Sequence, residues 1–433
     1  MQQIFVVLLV AAAYLGLAAL SALLAYAPAD AWTVWLASGL TLGLLLARPR
    51  GRWPAILAGA FVGAAVFAVL LGSNAVDAFG YGAIEVITAA AGAWIAARAV
   101  GLPARLEQPR DFAALVFGGA LPLAVLGALI ASAWNIASGG AQAIATFRVW
   151  GLANFVGTLL VAPLVIAWAQ FRPKRSGGLP MPAFVAGAIL CALFLLSMHL
   201  LMHTGNEDRL GGNVGRGLIY EPIVFMALLA LVWGLAGATL AAALGSLIAL
   251  INTAHGFGPF AGVEGYLGDP ELEVQAYAAA VASTGILIAL LAAGQRRAAR
   301  AARDWQTRFE AAIGIHRLVA YEWDPASGGF TVTGDVAQLL GTSAGKVATL
   351  ADWLGLVAPD DRERVAARFD ARAIGGNEAD AIVYLMQVAG GNLVSVSDDA
   401  RVIRDHDDAL HRVAGIVRVA AAPPAQGAKE SAG

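Results

Sequence analysis

The sequence predicts an all-α polytopic membrane bundle of eight to ten spans, followed by one small α+β domain. Three observations lead there. The 433 residues are 59% apolar and 13% charged, against about 25% charged in an ordinary soluble protein. The apolar residues gather into runs of roughly 20, the length a helix needs to cross a hydrocarbon core. Lys and Arg number 16 in residues 1–303 and 12 in the remaining 130, so the chain is built for two media, lipid first and water second.

Ten apolar segments fall near residues 4–26, 31–47, 54–72, 78–97, 111–134, 148–171, 182–203, 218–234, 236–254 and 273–294. The first has no basic flank and exceeds the about 7 to 15 residues of a signal-peptide core, so it is read as a retained span. Residues 218–254 contain no charged loop, and their division rests on a turn at Trp233-Gly234-Leu235-Ala236-Gly237. Charge supports two spans, or one span plus a re-entrant turn, because cytoplasmic loops are enriched in Lys and Arg. With the N-terminus inside, thirteen cations fall in inner loops: Arg48, Arg50, Arg52, Arg98, Arg105, Arg110, Arg172, Lys174, Arg175, Arg296, Arg297, Arg300 and Arg303. Three, Arg148, Arg209 and Arg216, fall outside. A single span over 218–254 would reverse the last cluster. The expectation is a multi-pass protein of the plasma (inner) membrane, with the lipid bilayer as its first partner and its C-terminal domain in the cytoplasm.

Ionisable side chains are costly in a bilayer and mark functional positions. Glu85 lies mid-span, while Asn154, Glu221, His199 and His203 lie in or near other spans. Glu85 would bind a cation, a proton or a polar group of a small ligand. Trp32, Trp35 and Trp53 admit an aromatic or amphipathic ligand, although an interfacial belt is the commoner use of such tryptophans. Trp35, Glu85, Asn154 and Glu221 are therefore the candidate ligand-binding residues. For Asn154 and the two histidines, hydrogen bonding to neighbouring helices is the plainer reading.

Composition also excludes. A net charge of −2 gives no cationic footprint for phosphate, so no nucleic-acid partner is expected. The single Cys191 permits no intrachain disulfide and reads as a small core hydrophobe. No phosphate loop, GxSxG elbow or HExxH pair is present, and the GGNEA string at 375–379 lies in a loop before a strand rather than on a cyclase hairpin. His316, His406 and His411 lack metal-ligand spacing. No particular cofactor is indicated.

The stretch WLASGLTLGLLLARPRGRWPAILAGAFVG at 35–63, with Glu85, AGAWIAARAV, RVWGLANFVGTLLVAPLVIAW, YEPIVFMALLALVWGLAGATL and TAHGFGPFAG in that order, resembles the type-one membrane-associated sensor (MASE) domain of bacterial signalling proteins. Asn154 stands where that resemblance leads one to expect an aspartate. The likeness covers about 290 residues and implies a sensory membrane domain, usually of eight spans.

Beyond Gly294 the chain reads QRRAARAARDWQTRFEAAIG, a run of helix formers that continues the last span as a stem. Strands follow at 319–323, 329–333, 381–388, 393–403 and 413–419, with helices around 336–340 and 350–353. The segment DWLGLVAPDDRERVAARF at 352–369, with YEWDPASG, LLGTS and RDHDDALHRVAGIVRV, resembles a PAS domain. Tyr384-Leu385 and Ser395-Val396 depart from that family's usual Tyr-Arg and Arg-Trp pairs, and Val419-Ala420-Ala421 replaces its terminal Asp-x-Thr exit.

The organisation expected is a MASE-type membrane domain over 1–294, a helical stem over 295–313, a PAS-like domain over 314–420 and a disordered tail over 421–433. The function expected is sensory input without catalysis, relayed to a signalling partner or a homodimer through stem and PAS domain. Two alternatives stand beside it, the input half of a histidine kinase or diguanylate cyclase and a small-molecule transporter.

Overall fold

The structure is a computed structural model, and it describes residues 2–25, 32–169, 179–203, 218–260, 269–316, 318–334, 336–337, 344–373, 381–387, 392–404 and 410–419. They form two compact units, Met1–Arg297 and Ala298–Gly433. The expected loop at Arg172 to Arg175, Arg209, Arg216, the GGNEA string, most of the helix at 336–340 and the tail lie outside the described residues.

Among the described residues, eight helices are long and apolar enough to cross a membrane. With the shorter α2 between the first two, the helices are α1 (Gln2–Leu23), α2 (Leu36–Ala47), α3 (Trp53–Leu70), α4 (Ala75–Val100), α5 (Pro109–Ala137), α6 (Ala143–Ala169), α7 (Met181–Met202), α8 (Glu221–Ala254) and α9 (Pro270–His316). Helix α2 has 12 residues, about 18 Å of rise. It is packed tightly enough that a Cβ at Gly39 or Gly43 would strike the α6 backbone. Small residues permit this approach between helices that gain little from hydrophobicity in lipid. Gly59 and Gly63, four residues apart on α3, behave similarly, the first against Val10 and the second against Tyr14.

Hydrogen bonds fix which helix ends share a face. At the first face the Ala104 N–H donates to Leu46 O (2.7 Å), and Arg297 pairs with Glu107 (3.0 Å). At the second, Leu36 N–H donates to Ser21 Oγ (3.0 Å), and Arg148 pairs with Asp269 (2.8 Å). Helix α9 therefore runs from the second face to the first, parallel to α6.

Helix α8 reverses on itself. Gly234 has φ 65° and ψ −155°, a conformation in which a Cβ is penalised. Tyr277 donates to Ile219 O (3.0 Å) near one end of the segment 221–233, while Arg296 donates to Leu231 O (2.9 Å) near the other. The returning segment starts at the first face, where Trp168 donates to Ala236 O (3.2 Å). Met226 and Ala238 consequently both border Gly285. Among the described helices, with α8 counted as two segments, the chain thus passes between the faces ten times, and the turn expected at Trp233–Gly237 is a tight helical hairpin.

The second unit is an antiparallel five-stranded sheet ordered β2-β1-β5-β4-β3, with β1 Val319–Trp323, β2 Phe330–Gly334, β3 Ile382–Gln387, β4 Leu393–Arg404 and β5 Leu410–Val419. Helices α10 (Leu350–Leu356) and α11 (Pro359–Ala373) join it, and α11 was not assigned from the sequence. The DWLGLVAPDDRERV segment is the joint between them. Thr349 and Asp352 form a capping box that opens α10, and Pro359 begins α11, each satisfying or sparing the orphan N–H groups of a helix start. Trp353 is fully buried among Tyr321 and Phe330. Asp361 accepts from Leu385 N–H (2.8 Å) and ties α11 to β3.

Candidate functional site

The bundle encloses a cavity of about 430 Å³, within the range of small-molecule sites. Six passes build it, through Tyr14 on α1, Trp32 and Trp35 before α2, Phe67 on α3, Tyr81 and Glu85 on α4, Trp134 on α5, and Trp150 and Asn154 on α6. All these come from the half of the bundle nearer the second face. Ser73 and Gln142, in the loops before α4 and α6, put its polar mouth at that face.

Glu85 is 5% exposed. Its Oε2 accepts from the Tyr14 hydroxyl (3.2 Å) and the Ser38 hydroxyl (3.5 Å), whereas its Oε1 has no hydrogen-bond partner. Tyr14 in turn accepts from Trp35 Nε1 (3.3 Å). Ser38 also donates to Asn154 Oδ1, and the Asn154 amide donates to Trp150 O (2.8 Å). One network therefore connects α1, α2, α4 and α6 at the carboxylate. Buried polar networks of this kind hold a specific geometry, and an unsatisfied member is costly.

Aromatic rings form the walls. Trp32, Trp35 and Phe67 stand mutually edge to face, with centroids 5.2, 5.6 and 6.2 Å apart. Tyr81 and Trp150 stack at 5.8 Å. Trp134 Nε1 donates to Asp77 (3.0 Å). Among the described lining residues Glu85 is the only carboxylate, and there is no Lys, Arg or His.

Three of the four sequence-predicted residues, Trp35, Glu85 and Asn154, thus meet at one cavity. Glu221 does not. It begins α8 and accepts a hydrogen bond from Ser197, beside Tyr277 in a separate helical cluster. Trp53 lies at the first face and donates to Leu45 O (2.8 Å). The His199 and His203 rings are 5.7 Å apart, and no group of three metal-ligating side chains occurs among the described residues. Tyr14, Phe67, Tyr81, Trp134 and Trp150 were not singled out from the sequence, because an aromatic residue in an apolar span looks like packing or an interfacial anchor.

The cavity is connected to α9. The Gln275 side-chain amide donates to Thr33 O (2.7 Å), buried and 242 residues away in sequence. Thr33 lies between Trp32 and Trp35. The segment that carries those indoles is thus hydrogen-bonded to α9.

The second unit has a buried polar cluster of its own. Asp398 is fully buried, accepts from Tyr321 (3.0 Å) and Tyr384 (3.4 Å), and faces the Arg372 guanidinium at 3.9 Å. Burial pushes the Asp398 carboxyl up to about 6, opposed by Arg372 and the two hydroxyls. Burial likewise holds Tyr321 and Tyr384 well above the usual phenol range.

The architecture is an apolar multi-helix bundle with a polar cavity, followed by a five-stranded α+β domain. The chain belongs to the MASE1 family, whose sequence pattern it matches over residues 5–297. Residues 330–417 match the PAS fold. No curated protein matches the chain. Solved structures similar to it include the N-terminal domain of a diguanylate cyclase with PAS/PAC sensor from Marinobacter aquaeolei, at 19% identity over 24% of this chain and 94% of that one, with a TM-score of 0.22. Another is a sensory box histidine kinase/response regulator from Burkholderia thailandensis, at 17% identity over 26% of this chain and 83% of that one, with a TM-score of 0.21.

Proposed function

We propose that this chain is a sensory-input protein of a bacterial plasma membrane, in which occupancy of the cavity at Glu85 biases the bundle between two states and α9 passes that bias to the PAS domain. The observation that carries the reading is the Gln275 to Thr33 hydrogen bond. It joins the cavity wall to a helix of 47 residues that enters both units. A ligand shifts such an equilibrium only by its differential affinity for the two states, and tryptophans that move with Thr33 provide that difference.

Orientation follows from charge. Arg48, Arg50, Arg52, Arg98, Arg105, Arg110, Arg296 and Arg297 lie at the first face, and among the described residues the second face has Arg148. The positive-inside bias then puts the first face and the PAS domain in the cytoplasm. It puts the mouth of the cavity outside, where an external stimulus arrives.

Relay without catalysis is the remaining element. The chain matches a membrane sensor domain and a PAS fold, and both are input modules. Val383, Leu385 and Ile416 are exposed apolar residues of the PAS sheet, a surface suited to a second protein chain. Glu85→Gln, and separately a deletion of residues 308–433, should insert at wild-type level yet give the transcript profile of cells lacking the protein. The purified chain should turn over neither ATP nor GTP. A wild-type profile from either variant, or nucleotide turnover by the pure chain, would overturn the proposal.

A further inference from the structure

We infer that the ligand of the cavity is an organic cation, an apolar or aromatic body bearing a protonated or quaternary amine. The inference rests on the reading of the cavity as the stimulus site and names the chemistry of its occupant. Glu85 lines a wall with no Lys, Arg or His among the described residues, and its Oε1 has no hydrogen-bond partner among them. A buried carboxylate is expensive unless a positive charge or a proton offsets it, and no Lys, Arg or His among the described lining residues supplies that charge.

The walls select the kind of cation. A metal ion needs several oxygen ligands, but this lining offers one carboxylate, and no group of three His, Cys, Asp or Glu occurs among the described residues. What the same cavity offers instead is the rings of Tyr14, Trp32, Trp35 and Phe67, inclined to one another. Aromatic faces attract alkylammonium groups through the ring quadrupole, most strongly when the site is desolvated, and mutually inclined rings are how proteins enclose such groups. An anion would meet Glu85 and no opposing charge. A neutral hydrocarbon would leave the carboxylate without a countercharge. At the mouth, Asn135, Gln142 and Thr146 provide amides and a hydroxyl for a polar substituent.

The test uses the full chain in uncharged phosphatidylcholine nanodiscs and three probes with one ring and different charge: benzyltrimethylammonium, benzyl alcohol and benzenesulfonate. Tryptophan fluorescence reports binding. The cation should bind saturably and about tenfold or more tighter than benzyl alcohol, with benzenesulfonate weakest. Glu85→Gln should remove most of the cation's advantage and leave benzyl alcohol unchanged, and Trp35→Leu should weaken both. The charge series on the wild-type protein stands even where a variant folds poorly. Equal binding of cation and alcohol, both weakened by Trp35→Leu, would overturn the assignment while leaving the cavity as a ligand site. No saturable binding of any probe would overturn the assignment and the cavity's role together.

Discussion

Gln275 on α9 donates to the backbone carbonyl of Thr33, so the helix that leaves the bundle is fastened to the turn that holds Trp32 and Trp35. A hydrogen bond of this kind contributes about 0.5 to 1.5 kcal/mol net, enough to bias two states without being needed for folding. Gln275→Leu should therefore leave insertion and cavity binding within about threefold of wild type and abolish the cellular response. A variant that binds and still signals would remove this contact from the relay.

The close crossing of α2 and α6 makes a sharper stability prediction. A Cβ at Gly157 would collide with the Trp35 carbonyl, whereas one at Gly16 meets nothing within 4 Å. Gly157→Ala should destabilise the full chain by about 1 to 3 kcal/mol, the usual cost of overpacking, and displace Trp35 from the cavity. Gly16→Ala should be near neutral. Thermal unfolding in detergent, with probe binding as a second readout, separates the two.

Topology can be read by chemical labelling in a Cys191→Ser background. Cysteines at Gly51, in the first-face turn, and at Ser138, after α5 at the second face, are both exposed. In intact cells an impermeant thiol reagent should label Ser138→Cys and spare Gly51→Cys until the membrane is opened. The reverse pattern would invert the orientation and put the cavity mouth in the cytoplasm.

The PAS domain should show a pH dependence traceable to Asp398. Its folded carboxyl is raised to about 6 by burial, above an unfolded value of about 3.9. Between those values the folded state holds more protons. This group's contribution is therefore full below about pH 4, declines as pH rises through about 6 and is flat beyond, a loss on the order of 2 to 3 kcal/mol. Asp324, Asp352 and Asp361 are lowered by hydrogen bonds, and their contribution instead falls away in acid. Asp398→Asn should flatten the decline from pH 4 to 6 while leaving the acid limb. Hydrogen exchange of β5 peptides in the full chain measures it, and an unchanged slope would assign the dependence elsewhere.

Much of this architecture is legible in the amino-acid order because lipid imposes simple rules. Apolar length places the helices, and the parity of Arg48 to Arg52 against Arg296 and Arg297 requires the reversal that Gly234 makes. Trp35, Glu85 and Asn154 stand out because polar groups are rare in spans. Their convergence does not, since it depends on which helix faces meet, and Glu221 has the same chemical signature yet lies in another cluster. Tyr14 and Ser38, which donate to Glu85, look ordinary in sequence. In the PAS domain the DWLGLVAPDDRERV segment is conspicuous, but its role as a helix joint needs the Asp361 to Leu385 contact. Arg372 and Asp398 look like surface charges until the sheet buries them.

The central claim is that the state of the Glu85 site sets the state of the stem and PAS domain through α9. Hydrogen–deuterium exchange on four full-length proteins in nanodiscs, wild type, Glu85→Gln, Gln275→Leu and the double variant, tests it as a thermodynamic cycle. The account predicts that Glu85→Gln alters exchange in residues 298–316 and in the PAS strands, and that the same change made in the Gln275→Leu background has no such effect. Identical exchange in wild type and Glu85→Gln, or an equal effect in both backgrounds, would contradict it.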